Sequence, residues 1–196
     1  MPIRRRDALV LVLVAAGLVW LGRARGPVLQ PPPLAAAPAA ERAPAPPFSL
    51  PRAGGGRFAL EEARGRVVLV HFWATWCAPC RAELPALARL ERARAGEGLV
   101  VAAVSVDARP EQAMRFAAAR GLGSPVLFDP AEEVARRYGV AGYPTTFVVD
   151  AEGRVAQRLL GSFAWDAPEV EAWLAELGAG GARARAAGGP APRAPQ

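Results

Sequence analysis

Apolar and polar positions divide the chain into four stretches of different character. The first apolar run, Ala8 to Gly22, carries no charge and is flanked by Arg4-Arg5-Arg6 before it and Arg23 and Arg25 after it. Its 15 residues span ~22 Å as a helix, short of a ~30 Å hydrocarbon core unless the flanking arginines snorkel. That length suits a signal-peptide h-region, yet no good small-x-small cleavage site follows directly. Residues 1–23 are therefore expected to be a signal-anchor or a cleaved signal peptide. In both cases the Arg4–Arg6 side stays cytoplasmic and the remainder is exported. Residues 24–47 hold eight prolines and no apolar periodicity. They are expected to form a semi-rigid linker, reaching ~70 Å if mostly polyproline II.

The periodic part of the chain runs from 48 to 177. Phe48-Ser49-Leu50 and Arg57–Leu60 flank Gly54-Gly55-Gly56, which predicts a hairpin. Val67–Trp73 is a near-continuous apolar run, the mark of a strand covered on both faces. From Pro79 to about Arg94, Leu84, Leu87 and Leu90 recur at helical spacing, with Pro85 as a potential kink. Leu99–Val106 predicts a second buried strand and Pro110–Arg120 a helix. Val126–Phe128 and Ala131–Tyr138 predict a further strand–helix unit. Thr145–Val149 and Val155–Leu160, joined by Asp150-Ala151-Glu152-Gly153, predict antiparallel neighbours, and Pro168–Leu177 a closing helix. Strands alternating with helices and then a hairpin give an α/β fold, a mixed sheet flanked by helices. Residues 178–196, rich in Gly, Ala, Pro and Arg without a hydrophobic pattern, are expected to be a disordered tail.

Charge changes this picture less than the totals suggest. The formal net charge is +6, and all 24 basic residues are Arg. Residues 48–177 hold 15 Arg against 16 acids, a net of −1, so the excess of +7 lies at the two ends. A nucleic-acid binder concentrates positive charge on a folded face. Nucleic acid is accordingly not an expected partner.

Candidate chemistry rests on the two cysteines of Trp76-Cys77-Ala78-Pro79-Cys80. Three positions apart, they close too short a loop to restrain the unfolded chain much, so redox or metal chemistry is the better expectation. Zinc wants four ligands, and the chain has two Cys and one His; covalent haem attachment would need His at position 81, where Arg81 stands. No metal and no soluble cofactor are expected. Cys77 falls at the strand-to-helix turn with Cys80 in the first helical turn, close enough for a small-ring disulfide. The unpaired N–H groups and dipole of a helix start favour a thiolate at Cys77, though the dipole contributes only ~0.3–1 kcal/mol. The expected cycle is attack by Cys77 on a substrate disulfide and resolution by Cys80.

Residues 67–85, Val-Val-Leu-Val-His-Phe-Trp-Ala-Thr-Trp-Cys-Ala-Pro-Cys-Arg-Ala-Glu-Leu-Pro, resemble the thioredoxin superfamily, and more narrowly its membrane-anchored TlpA/ResA-like branch. Gly142-Tyr143-Pro144-Thr145-Thr146-Phe147 is similar to the same family's cis-proline loop, and the resemblance covers residues 46–177. It implies a thioredoxin-like domain with an N-terminal hairpin and one inserted strand–helix unit. It also implies a redox-active Cys77–Cys80 disulfide and a cis Tyr143–Pro144 peptide beside Cys77. Trp76, Tyr143, Pro144 and Thr145 would line the substrate groove, with simple packing the alternative for Tyr143. Glu83 would handle protons or recognise substrate; the alternative is an exposed helix Glu paired with an Arg. His71 departs from the family, which has a buried acid or Asn there, and Ala103 stands where thioredoxins have Lys. His71 is either a proton relay to Cys80 or a neutral core residue.

By this resemblance the chain is an exported protein disulfide reductase, anchored to the cell membrane or soluble in the periplasm. Its clients would be protein thiols and disulfides, including apocytochrome c before haem attachment, and its electrons would come from a membrane thiol relay. The rival classes are a metal-handling module, a thiol peroxidase, and a binding module with a redox-idle cysteine pair. Copper-delivery relatives of this fold carry a wider CxxxC and a distal His, and a peroxidase would want Thr where Ala74 stands.

Overall fold

The computed structural model describes residues 29–186. The expected signal-anchor or signal peptide (1–23) and the end of the tail lie outside the described residues. Among the described residues no helix is long and apolar enough to cross a membrane. The strands are β1 (Ser49–Pro51), β2 (Arg57–Ala59), β3 (Val67–Trp73), β4 (Leu99–Ser105), β5 (Val126–Phe128), β6 (Thr145–Val149) and β7 (Val155–Leu160). The helices are α1 (Ala78–Ala93), α2 (Pro110–Ala118), α3 (Glu133–Arg137) and α4 (Pro168–Ala186), with short 3-10 turns at Ala39–Glu41 and Leu60–Ala63.

β1 and β2 form the expected hairpin, and the other five strands make one sheet in the order β5-β4-β3-β6-β7. β3 runs parallel to β4, β4 parallel to β5, and β6 antiparallel to both β3 and β7. All seven residues of β3 are buried, which is why its sequence is apolar throughout. Its side chains alternate between two layers. Leu69, His71 and Trp73 share one face, where His71 meets Glu83 of α1. Phe72 points to the other, against Tyr138 just past α3 (5.4 Å between ring centroids) and Phe147 of β6 (6.1 Å). Helices thus cover both faces, as the alternating pattern predicts.

Two stretches differ from their sequence-based boundaries. Residues 29–47, expected to be a spacer, lie along the domain. Ala37 N–H donates to Ala156 (3.0 Å), Val155 N–H to Ala43 (2.8 Å) and Ala45 N–H to Gly153 (3.0 Å), so the segment covers part of the otherwise open β7 edge. Prolines are no obstacle here, because an edge partner needs only some of its N–H groups. The opposite edge is met by the hairpin, where Ala53 N–H donates to Val126 (2.8 Å). The second difference is α4, which continues to Ala186, past the expected boundary at 177. Ala and Arg propagate a helix already started by its docked first turns, and the tail's prolines begin only at Pro190.

Asp150 joins the strap to the β6–β7 turn. Its carboxylate accepts from the N–H groups of Glu152 (3.1 Å) and Arg154 (2.8 Å) and from Arg42 Nη1 (3.0 Å). Gly153 completes the turn at φ 74°, a conformation that suits glycine. Asp150→Ala removes the acceptor of all three donors from a buried position and is expected to cost about 2–4 kcal/mol. A urea titration checks this: the midpoint falls with an unchanged slope.

Candidate active site

The site forms where β3 and β4 end and α1 begins. Cys77 is the N-cap of α1: its Sγ accepts the N–H of Cys80 at 3.2 Å. Pro79 sits in the first turn, where its missing N–H leaves no helical bond unmade. The two sulfurs are joined in a disulfide, with Cα atoms 5.3 Å apart. Access to them is unequal, since Cys77 is 6% exposed and Cys80 0%.

The loop leading to Cys77 is held by a buried carboxylate that sequence reasoning missed. Asp107 Oδ1 accepts the Thr75 hydroxyl at 2.6 Å, while Oδ2 accepts Thr75 N–H at 3.0 Å and Ser105 Oγ–H at 2.8 Å. The signal available was positional: Asp107 follows directly on a parallel strand, at the carboxyl end where α/β sheets place their sites.

A groove of about 480 Å³ opens beside Cys77, lined by Trp76, Pro79, Glu132, Gly142 and Tyr143 among others. The Tyr143–Pro144 peptide is cis. Trp76 is 65% exposed and meets Tyr143 edge-on at 5.8 Å between centroids. The Tyr143 hydroxyl donates to Glu132 Oε2 at 2.9 Å, and burial together with that carboxylate pushes its phenol up. Glu132 was not singled out in the sequence. It takes a left-handed backbone conformation (φ 54°), which no composition signal at this position announces.

Thr145 and Pro144, both expected at the groove, are hydrogen-bonded to neighbouring backbone. Thr145 is wholly buried, and its hydroxyl donates to the Gly142 carbonyl at 2.7 Å, so its side chain fastens the loop rather than facing the groove. The Pro144 carbonyl accepts Gly161 N–H at 2.9 Å and is likewise engaged.

Glu83 is not the exposed, Arg-paired side chain that one reading of its sequence position predicts. It is 0% exposed, on the helix side shared with Cys80 one turn earlier. Its Oε2 accepts Phe163 N–H at 2.9 Å and Trp165 Nε1–H at 2.8 Å. Burial pushes the carboxyl up to about 8, with those two bonds pulling it partly back. His71 is also 0% exposed, with Nδ1 at 2.9 Å from Thr146 Oγ1; burial pulls its pKa down to about 3. The structure therefore brings His71, Glu83, Cys77 and Cys80 into one region around the start of α1, with Trp76 and Tyr143 at the mouth.

Comparison with known proteins identifies the family. Residues 42–158 match the AhpC/TSA family. The chain is similar to the thioredoxin-like protein YneN of Bacillus subtilis, 40% identical over 111 residues, which are 56% of this chain and 65% of that protein. It is 35% identical to the thiol–disulfide oxidoreductase ResA of Geobacillus thermodenitrificans over 118 residues, 60% of this chain and 68% of ResA. Among solved structures it resembles a thiol:disulfide interchange protein of the thioredoxin family from Chlorobium tepidum. There the TM-score is 0.61 at 29% identity, covering 70% of this chain and 99% of that one. The chain belongs to the AhpC/TSA family, among its ResA-like thiol–disulfide oxidoreductases of thioredoxin fold.

Proposed function

We propose that the chain reduces disulfides in exported proteins through the Cys77–Cys80 pair. The observation that carries exchange through this pair, with Cys77 as the attacking sulfur, is the unequal access of the two sulfurs; the direction rests on the ResA-like resemblance. Only Cys77 reaches the groove, so a client disulfide meets Cys77 first.

In the reduced state the Cys77 thiolate, stabilised by the Cys80 N–H and the start of α1, attacks one sulfur of the client disulfide. The client S–S bond breaks, a mixed disulfide forms, and the other client sulfur leaves as a thiolate that takes a proton. Cys80 then loses its proton and attacks Cys77 Sγ. The Cys77–Cys80 bond forms and the second client sulfur leaves reduced. Two electrons have passed from the pair to the client. Glu83, one turn from Cys80, is placed to accept the proton that Cys80 loses. When a donor dithiol reopens the disulfide, Glu83 returns a proton to Cys80 as it departs; a carboxyl pushed up by burial holds that proton near neutral pH. Trp76 and Tyr143 offer apolar surface to the client segment next to the attacked sulfur.

The export signal read at residues 1–23 supports work beyond the cytoplasmic membrane, tethered or released, with a membrane thiol relay as electron donor. The ResA-like resemblance supports apocytochrome c thiols as one client class. The reduction potential tests the direction of flow. A reductase is expected below about −220 mV, whereas a value near about −120 mV, in the range of a strong oxidant, would reverse the proposal. Equilibration with glutathione followed by alkylation of the free thiols measures it.

A further inference from the structure

Two buried polar atoms face one another with no hydrogen-bond partner. His71 Nε2 and Glu83 Oε1 are 3.6 Å apart, and both side chains are fully enclosed. The other polar atoms of the pair are engaged, Nδ1 with Thr146 Oγ1 and Oε2 with two N–H donors. Those two donors make Oε2 an acceptor, so a proton on the carboxyl resides on Oε1. A buried polar atom left unpaired costs about 1–3 kcal/mol. One shared hydrogen would satisfy both atoms, and the approach needed is roughly 0.5 Å. An imidazolium–carboxylate pair is the unfavourable alternative, because it would bury two charges; burial drives each group toward its neutral form. Beside the pair stand Ala103 of β4 and Thr146 of β6, the register partners of His71, and Trp165 before α4, with Cys80 one turn from Glu83 on α1. Of these, Cys80 alone carries an ionisable group, and only once the disulfide is opened to thiols.

We propose that His71 is the positioning residue for the Glu83 proton: with its own hydrogen on Nδ1, His71 accepts at Nε2 the hydrogen carried by Glu83 Oε1. The carboxyl is thereby held protonated and in one orientation, one turn from Cys80. When Cys80 departs as a thiolate, the Oε1–H bond breaks and an S–H bond forms, leaving the carboxylate beside a neutral imidazole. The use of the contact rests on the exchange cycle proposed above, but the contact itself is testable without turnover.

The test compares His71→Asn with His71→Gln in the full chain. An Asn amide stands near the place of Nδ1 and keeps a partner for Thr146 but presents nothing at Nε2; a Gln amide reaches the Nε2 position. The Glu83 carboxyl is titrated by 13C NMR of glutamate-labelled protein, assigned by its absence in Glu83→Gln. The pKa is expected to fall by about one unit in His71→Asn, since an acceptor for the protonated form is lost, and to stay within about 0.3 unit in His71→Gln. Equal shifts in both variants, or none in His71→Asn, overturn the proposal. The 15N spectrum of the unsubstituted protein decides even if a variant fails to fold. An Nδ1–H tautomer whose Nε2 resonance moves as Glu83 titrates supports the proposal, and an Nε2–H tautomer overturns it. A chain that reduces no disulfide yet keeps the Nδ1–H signature loses the proposed function and retains the pair.

Discussion

Cys80→Ser is expected to convert the chain into a trap for its clients. Cys77 remains at the groove and still attacks, but the mixed disulfide loses its internal resolving thiol. An intramolecular thiol held in line acts at effective molarities of up to ~10⁵ M or more, whereas small thiols in solution act at millimolar concentrations. The lifetime of the mixed disulfide should therefore rise by at least roughly 10³-fold. Non-reducing gels of Cys80→Ser incubated with an oxidised protein show it as a reducible, higher-mass band. Cys77→Ser is expected to give no such band, because Cys80 is 0% exposed and a client disulfide does not reach it. Capture by Cys80 alone would reverse the assigned order of attack.

The second large effect concerns Glu83 and pH. Its folded-state pKa, about 8, lies above the ordinary carboxylate value of 4.5, with burial as the main cause. The folded chain then binds more protons than the unfolded chain between those two values. The associated stability is fully present below pH 4.5 and is lost as pH rises toward 8, by at most about 5 kcal/mol. His71 acts in the opposite sense. Its pKa is lowered from 6.5 to about 3 by burial, so its contribution is present above 6.5 and is lost as pH falls toward 3. The two together place the most stable range of the oxidised chain at mildly acid pH. In the unsubstituted chain the two contributions offset one another up to about pH 6.5, and stability falls from there to 8. In Glu83→Gln that fall should disappear and stability should instead rise from about pH 5 to 6.5 as His71 alone titrates, because Gln keeps an acceptor for Phe163 and Trp165 without ionising. Urea unfolding of both proteins across that range measures the difference; parallel curves would mean that Glu83 is not buried as a neutral acid.

The sequence made the sheet and the reactive pair legible for a shared physical reason. Val67–Trp73 and Leu99–Ser105 are strands covered on both faces, so nearly every position is apolar and no other element fits so short a run. The cysteines follow at the junction where a parallel strand hands over to a helix, a position recoverable from order alone. What escaped was tertiary. The strap at residues 29–47 shows no periodicity because it is held by backbone hydrogen bonds along the β7 edge and by single side chains such as Arg42, not by a repeating apolar face. Glu83 occupies a helical position where a charged residue ordinarily faces water, and it is enclosed by contacts distant in sequence, His71 of β3 on one side and Phe163 and Trp165 on the other. Asp107 acts through Thr75, a partner 32 positions away. Glu132 matters through a backbone conformation that side-chain identity does not announce. The last turns of α4, residues 178–186, are concealed by composition: glycine and arginine read as disorder until a docked start carries the helix through them.

Thiol stoichiometry tests the central claim most directly. The reduced chain is mixed with an excess of insulin, quenched in acid, alkylated and weighed by mass spectrometry. The expected result is one Cys77–Cys80 disulfide formed for each insulin disulfide opened, with monomeric product. Insulin left oxidised beside a chain with both thiols free would contradict it, and so would a chain oxidised only as a dimer linked through Cys77.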